Sequence, residues 1–245
     1  LTQSVVAAEY YLPLYFQSVK EASPVRSGVL ILPITITEAL IGIITGLIIH
    51  RTGQYIELIW TGVTLFAIGT GLYIHLNAVS SVGEIIAFEI VAGIGAGLLF
   101  DPPLIALQAL VSQADTATAT ATLGLIRNLG TCLSLVIGGI VLQNGMKRQV
   151  PNLQAAGLSP IVIQKLSGEA AAANVLIIQT ISDQDQKLAV KGAFAGSLRS
   201  LWVLCTCMSA CGVVASGFIA KQVLSKEHTE TKTGIEKQET VVMDG

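Results

Sequence analysis

Charge is scarce in this sequence. Asp, Glu, Lys and Arg make up 12% of its residues, against about 25% in an ordinary soluble domain, which excludes the usual water-facing surface. A basic footprint is missing too: the formal net charge is −2, and the 14 Lys and Arg scatter through loops and tail. No nucleic-acid partner is expected. Enzyme signatures are absent, with no HExxH, no GxSxG and no P-loop glycines. The histidines, His50, His75 and His228, stand apart. No catalytic residue, metal or cofactor is therefore assigned. The cysteines Cys132, Cys205, Cys207 and Cys211 fall inside apolar blocks, which argues for packing rather than a disulfide framework or a zinc site. No charged n-region precedes "LTQSVVAAEYYLPLYF", so it reads as a helix entered part-way and not as a signal peptide.

What the chain does have is long apolar runs. Its residues are 52% hydrophobic, with a mean hydropathy of +0.69. Runs near residues 2–19, 29–49, 55–75, 85–110, 120–143 and 200–221 approach the ~20 residues that cross ~30 Å of hydrocarbon. Lipid offers no partner to backbone N–H and C=O groups, so these runs must be helices. The expected fold is all-α, an integral membrane bundle of six transmembrane helices over residues 1–221. A long polar loop is expected at 144–199, with apolar patches near 161–166 and 170–181 lying as surface helices at the bundle mouth. Residues 222–245 mix both charges with few large apolar groups and read as a disordered tail.

Polar side chains inside the apolar runs carry the chemistry. In "GIGAGLLFDPPLIALQA" the prolines Pro102 and Pro103 lack N–H groups, so the carbonyls of Leu98 and Leu99 lose their helical partners. A break, and a hinge, is expected at Asp101. A carboxylate there costs a few kcal/mol if it faces lipid, so it should face the interior. Arg127 in "GLIRNLG" lies at similar depth, and an Asp101–Arg127 ion pair is expected, either breakable by proton or substrate or purely structural. Glu9, Glu38 and Glu89 are further intramembrane carboxylates, with Glu9 and Glu38 near mid-span and Glu89 nearer an end. Burial moves such groups toward the range where they load and release protons. Gly42, Gly46, Gly93 and Gly97 are spaced for close helix contact. The aromatics of "YYLPLYFQ" either line a cavity or pack. Counting Lys and Arg on the two sides leaves orientation open.

The loop "GLIIHRTGQY" resembles the loop signature of the major facilitator superfamily, with Gly46, Arg51 and Gly53 matching and His50 standing where an acidic residue is usual. Together with "YYLPLYFQSV", "SGVLILPIT", "GIGAGLLFDPP" and "IRNLGTCLSLVIGG" in that order, the series looks like the C-terminal half of a fungal drug:proton antiporter of the fourteen-spanner type. The resemblance implies secondary active, proton-coupled efflux of small organic toxins, drugs or metabolites from a plasma or vacuolar membrane. Protons would be the coupling ion and the lipid bilayer the setting, with an N-terminal half or a second copy required. It puts "HRTGQY", "SQADTATA" and the tail in the cytoplasm and residues 144–199 outside. Two alternatives stand beside it: transport of basic amino acids or siderophores, and a truncated non-transporting half acting as a partner or homodimer.

Overall fold

The computed structural model describes residues 2–108 and 110–219, so the tail expected from residue 222 lies outside the described residues. The protein is all-α, with no strand among the described residues. Five segments are long and apolar enough to cross a membrane: 24–52, 56–75, 82–108, 116–155 and 184–216. Helix α1 (Thr2–Ser18), of 17 residues, rises ~25 Å and packs beside the later helices as a sixth member of the bundle.

The ends of these helices follow local chemistry. Ser23 caps α2 (Pro24–Leu30) by accepting from the Arg26 amide, with Pro24 where a missing N–H costs nothing. A single residue, Ile31, separates α2 from α3 (Leu32–Thr52). The signature glycine Gly53 ends α3 at φ 70°, returning its N–H to the Ile49 carbonyl, a left-handed cap that a side chain would strain. Helix α4 (Ile56–Leu72) runs back and finishes in a 3-10 turn at Tyr73–His75. Ser81 caps α5 (Val82–Gly97) through the Glu84 amide.

The proline pair breaks the next span as expected. Helix α5 stops at Gly97, and α6 (Pro102–Gln108) restarts after the break. Helix α7 (Thr116–Ala155) returns, the short α8 (Pro160–Leu166) and 3-10 turns at 168–170 and 175–180 follow, and α9 (Gln184–Ser216) closes the bundle.

Much of the expected polar loop is helix. Helix α7 continues to Ala155, and α9 starts at Gln184, where the Asp183 carboxylate accepts from the Asp185 and Gln186 amides. Hydropathy stops at the bilayer surface, whereas a helix stops only where its backbone is capped. Met146, Leu153, Val190 and Phe194 keep these extensions buried against neighbours. Between them, Ile163 and Leu166 of α8 and Val175 and Ile178 of the second 3-10 turn are buried, forming a cap over one end of the bundle.

An ionic latch joins that cap to the first loop. The Glu21 carboxylate accepts from Lys187 at 3.2 Å and from Lys191. Lys20 donates to the carbonyls of Ala78 and Ser80, tying in the α4–α5 connection. The Lys191 hydrogen bond, opposed by burial and seconded by Lys187, holds the Glu21 carboxyl below its usual value of 4.5. A lowered folded value means that the latch stabilises fully above the ordinary carboxylate range. That contribution is lost as pH falls through the lowered value. Protease cleavage in residues 156–183 should therefore rise on acidification below the ordinary carboxylate range, and E21Q should show the raised cleavage already at neutral pH. Identical cleavage of E21Q and wild type at neutral pH would remove the latch.

The core of the bundle is built on glycine contacts. A Cβ at Gly69 would lie 2.6 Å from the Ala92 Cα, and one at Gly97 would lie 2.6 Å from the Glu38 carbonyl. One at Gly93 would meet the Ile34 carbonyl at 2.8 Å. Helix α5 is thus gripped by α4 on one side and α3 on the other, at a separation only small residues permit. The aromatics of α1 mostly pack: Tyr11, Tyr15 and Phe16 are buried, with hydroxyl bonds from Tyr11 to the Leu135 carbonyl and from Tyr15 to the Asn77 carbonyl, each 2.8 Å.

Candidate functional site

The helix break organises the site. The Leu104 amide turns to the Asp101 carbonyl at 3.0 Å, and Ile105 donates to the same oxygen at 3.1 Å. The Phe100 carbonyl is left without the Leu104 amide that an unbroken helix would supply. The Arg127 guanidinium takes it, donating from Nη2 at 3.2 Å. This corrects the ion pair expected from depth alone. Among the described residues no salt bridge joins Asp101 to Arg127. A carbonyl with no other donor in reach holds a guanidinium in place of a carboxylate one residue further on.

Asp101 instead faces α3. Its Oδ2 lies 3.8 Å from where a Cβ on Gly46 would sit, an ordinary contact distance. Arg51, on the last turn of α3, is exposed.

Two cavities meet at Phe100 and Glu38. One, of about 600 Å³, runs along α3 past Thr35, Glu38, Gly42 and Gly46 to Asp101. The other, of about 310 Å³, lies behind the break and is lined by Glu38, Leu99, Pro103, Leu107 and Arg127. Glu38 belongs to both. Its carboxyl also stands within hydrogen-bonding reach of the Glu9 carboxyl on α1.

A third cavity, of about 620 Å³, opens between α1 and α7 beside Tyr10, Tyr11, Gln17 and Gln143. Glu89 lines none of these three. It sits at the middle of α5, fully buried, with both carboxyl oxygens unpartnered. The structure thus brings Glu9 to Glu38, and Glu38 to the walls shared with Asp101 and Arg127. Sequence reasoning missed the Glu9–Glu38 meeting and the Arg127–Phe100 contact. Depth along a span was legible, but the direction in which each side chain leaves its helix was not. The four cysteines are free, Cys205 buried and the rest exposed on helix faces.

A bundle of apolar helices, with carboxyls and an arginine lining its cavities, defines a multi-pass membrane protein. Comparison with known proteins makes that more particular. Over 94% of its length the chain is 40% identical to "MFS-type transporter ppz2" of Metarhizium majus, of which it covers 39%. It is 36% identical over 95% of its length to "Efflux pump dotC" of Dothistroma septosporum, covering 40%. To "Efflux pump FUS6" of Gibberella fujikuroi it is 31% identical over 94%, covering 41%. No family model matches, and no solved structure gives a significant match. The chain is a homologue of fungal major-facilitator-type transporters and efflux pumps, and it spans about two fifths of the length of the curated relatives it matches.

Proposed function

We propose that the chain is the C-terminal six-helix bundle of a proton-coupled efflux transporter for small organic molecules, working by alternating access against a second bundle. The observation that carries this reading is Glu38, which meets Glu9 across the α1–α3 contact and lines both cavities flanking the proline break. A carboxyl pair can load and release a proton, and the adjoining cavities are mostly apolar, as an organic cargo requires. The printed names of the relatives, "Efflux pump" and "MFS-type transporter", support the same direction.

In this mechanism Glu38 and Glu9 share and pass the proton. Asp101 senses the cavity, and Arg127 fixes the broken segment by its bond to the Phe100 carbonyl. Pro102 and Pro103 keep the break open, so α6 can tilt without costing helical hydrogen bonds. The capped end faces outward and "HRTGQY" the cytoplasm.

The test is export of a fluorescent organic substrate from cells or vesicles across a range of pH. D101N should uncouple export from the proton gradient while leaving the protein in the membrane. Wild-type pH dependence in that variant would remove Asp101 from the mechanism. Absence of any export by the wild-type polypeptide, with capture of another six-helix chain, would favour the non-transporting half.

A further inference from the structure

Glu89 stands outside the cavities already described, yet it is the most deeply placed of the candidate carboxyls. It is 0% exposed, and neither carboxyl oxygen has a hydrogen-bond partner. Tyr73 is also 0% exposed, with its hydroxyl in the same state. Buried polar atoms in this condition require an explanation.

Helical register puts the two together. Across the α4–α5 seam Phe66 meets Gly95 and Gly69 meets Ala92. One turn nearer the cap, α5 presents Glu89 where α4 runs into Tyr73. Across the α3–α5 seam Glu38 meets Gly97 and Ile34 meets Gly93. The next turn sets Glu89 beside the start of α3. The Tyr73 ring packs at a tilt against Trp202 of α9, with centroids 5.3 Å apart.

No counter-charge lines Glu89 from its own seam. Helix α3 carries Glu38 two turns away, with His50 and Arg51 confined to its last turn at the opposite end. Helix α4 has Glu57 in its first turn, also at that far end, and α5 itself adds only Glu84. His75, close to Tyr73 in the chain, and Arg199 of α9 line a separate cavity around Asn77 that Glu89 does not enter. An ionised carboxylate at Glu89 would be uncompensated.

We propose that Glu89 is a second proton-binding site, sealed in this conformation, whose carboxyl proton exchanges with solvent only when the α4–α5 seam opens. The purpose of the site rests on the proton-coupled reading, but its existence does not.

The experiment is infrared spectroscopy of the chain reconstituted in lipid vesicles, following the carbonyl stretch of protonated carboxylic acids at neutral pH. Wild type should show such a band, part of it slow to shift on transfer to heavy water because the site is sealed. E89Q should lose that slowly exchanging component, and E38Q should retain it. The same slow component in E89Q would overturn the site, and if E89Q does not fold, absence of the component from wild type overturns it. Flux experiments on Asp101 and Glu38 can fail while this band behaves as stated, so loss of the transport reading is distinguishable from loss of the site.

Discussion

E38Q should abolish proton-driven export while leaving the amount of protein in the membrane unchanged. Glutamine has nearly the shape of glutamate and can still hydrogen-bond to Glu9, so α1 and α3 should stay in contact. What it cannot do is release a proton. Because Glu38 is the titratable residue that lines both cavities at the break, its loss removes the acid that faces both. The measurement is substrate export with and without an imposed pH gradient. Export should fall to the level of membranes lacking the protein, or become indifferent to the gradient. Gradient-driven export at the wild-type rate would move the coupling role away from Glu38. E9Q is the informative companion: it leaves Glu38 able to titrate but without its acid partner, so the pH profile should shift rather than vanish.

The second large effect is structural. G95V should prevent accumulation of folded protein, or strip most of its thermal stability in detergent. A Cβ at Gly95 would fall 2.7 Å from the Phe66 Cα and nearer still to the Phe66 amide nitrogen. Backbone cannot rotate aside as a long side chain can, so α4 and α5 must part. Overpacking costs ~1–3 kcal/mol where neighbours can yield, and here they yield least. G83A is the control on the same helix. Nothing lies within 4 Å of a Cβ at Gly83, and replacing glycine with alanine in a helix typically gains about 0.5–1 kcal/mol. Equal melting behaviour of the two variants would mean that the α4–α5 seam is softer than its geometry indicates.

These two predictions draw on different degrees of sequence legibility. The glycine pairs at four-residue spacing were readable, and Gly93 and Gly97 lie against α3 as that spacing suggests. Gly95 and Gly69 carry equal weight at the α4–α5 seam, but their spacing flags nothing. The break at Asp101 was readable because proline removes a donor whatever its surroundings. Arg127 was placed at the right depth, yet its partner turned out to be the Phe100 carbonyl. A count of residues from the membrane face cannot say which acceptor a broken helix leaves unmet. Glu89 was judged to lie near a span end because hydropathy put the start at 85. The Ser81 cap begins α5 at Val82 and so brings Glu89 to mid-helix.

The extended helices have a mechanical consequence. Helix α7 has 40 residues and α9 has 33, so α7 alone measures ~60 Å, about twice the hydrocarbon thickness. Both run without interruption from the bundle into the cap, where α8 and the Glu21 latch bind them to the rest of the chain. A rocking bundle would therefore carry its cap rigidly, as a lever arm whose tip sweeps further than the helices within the bilayer. A probe fixed near residue 160 would report each swing from outside the membrane, without touching the cavities at the helix break.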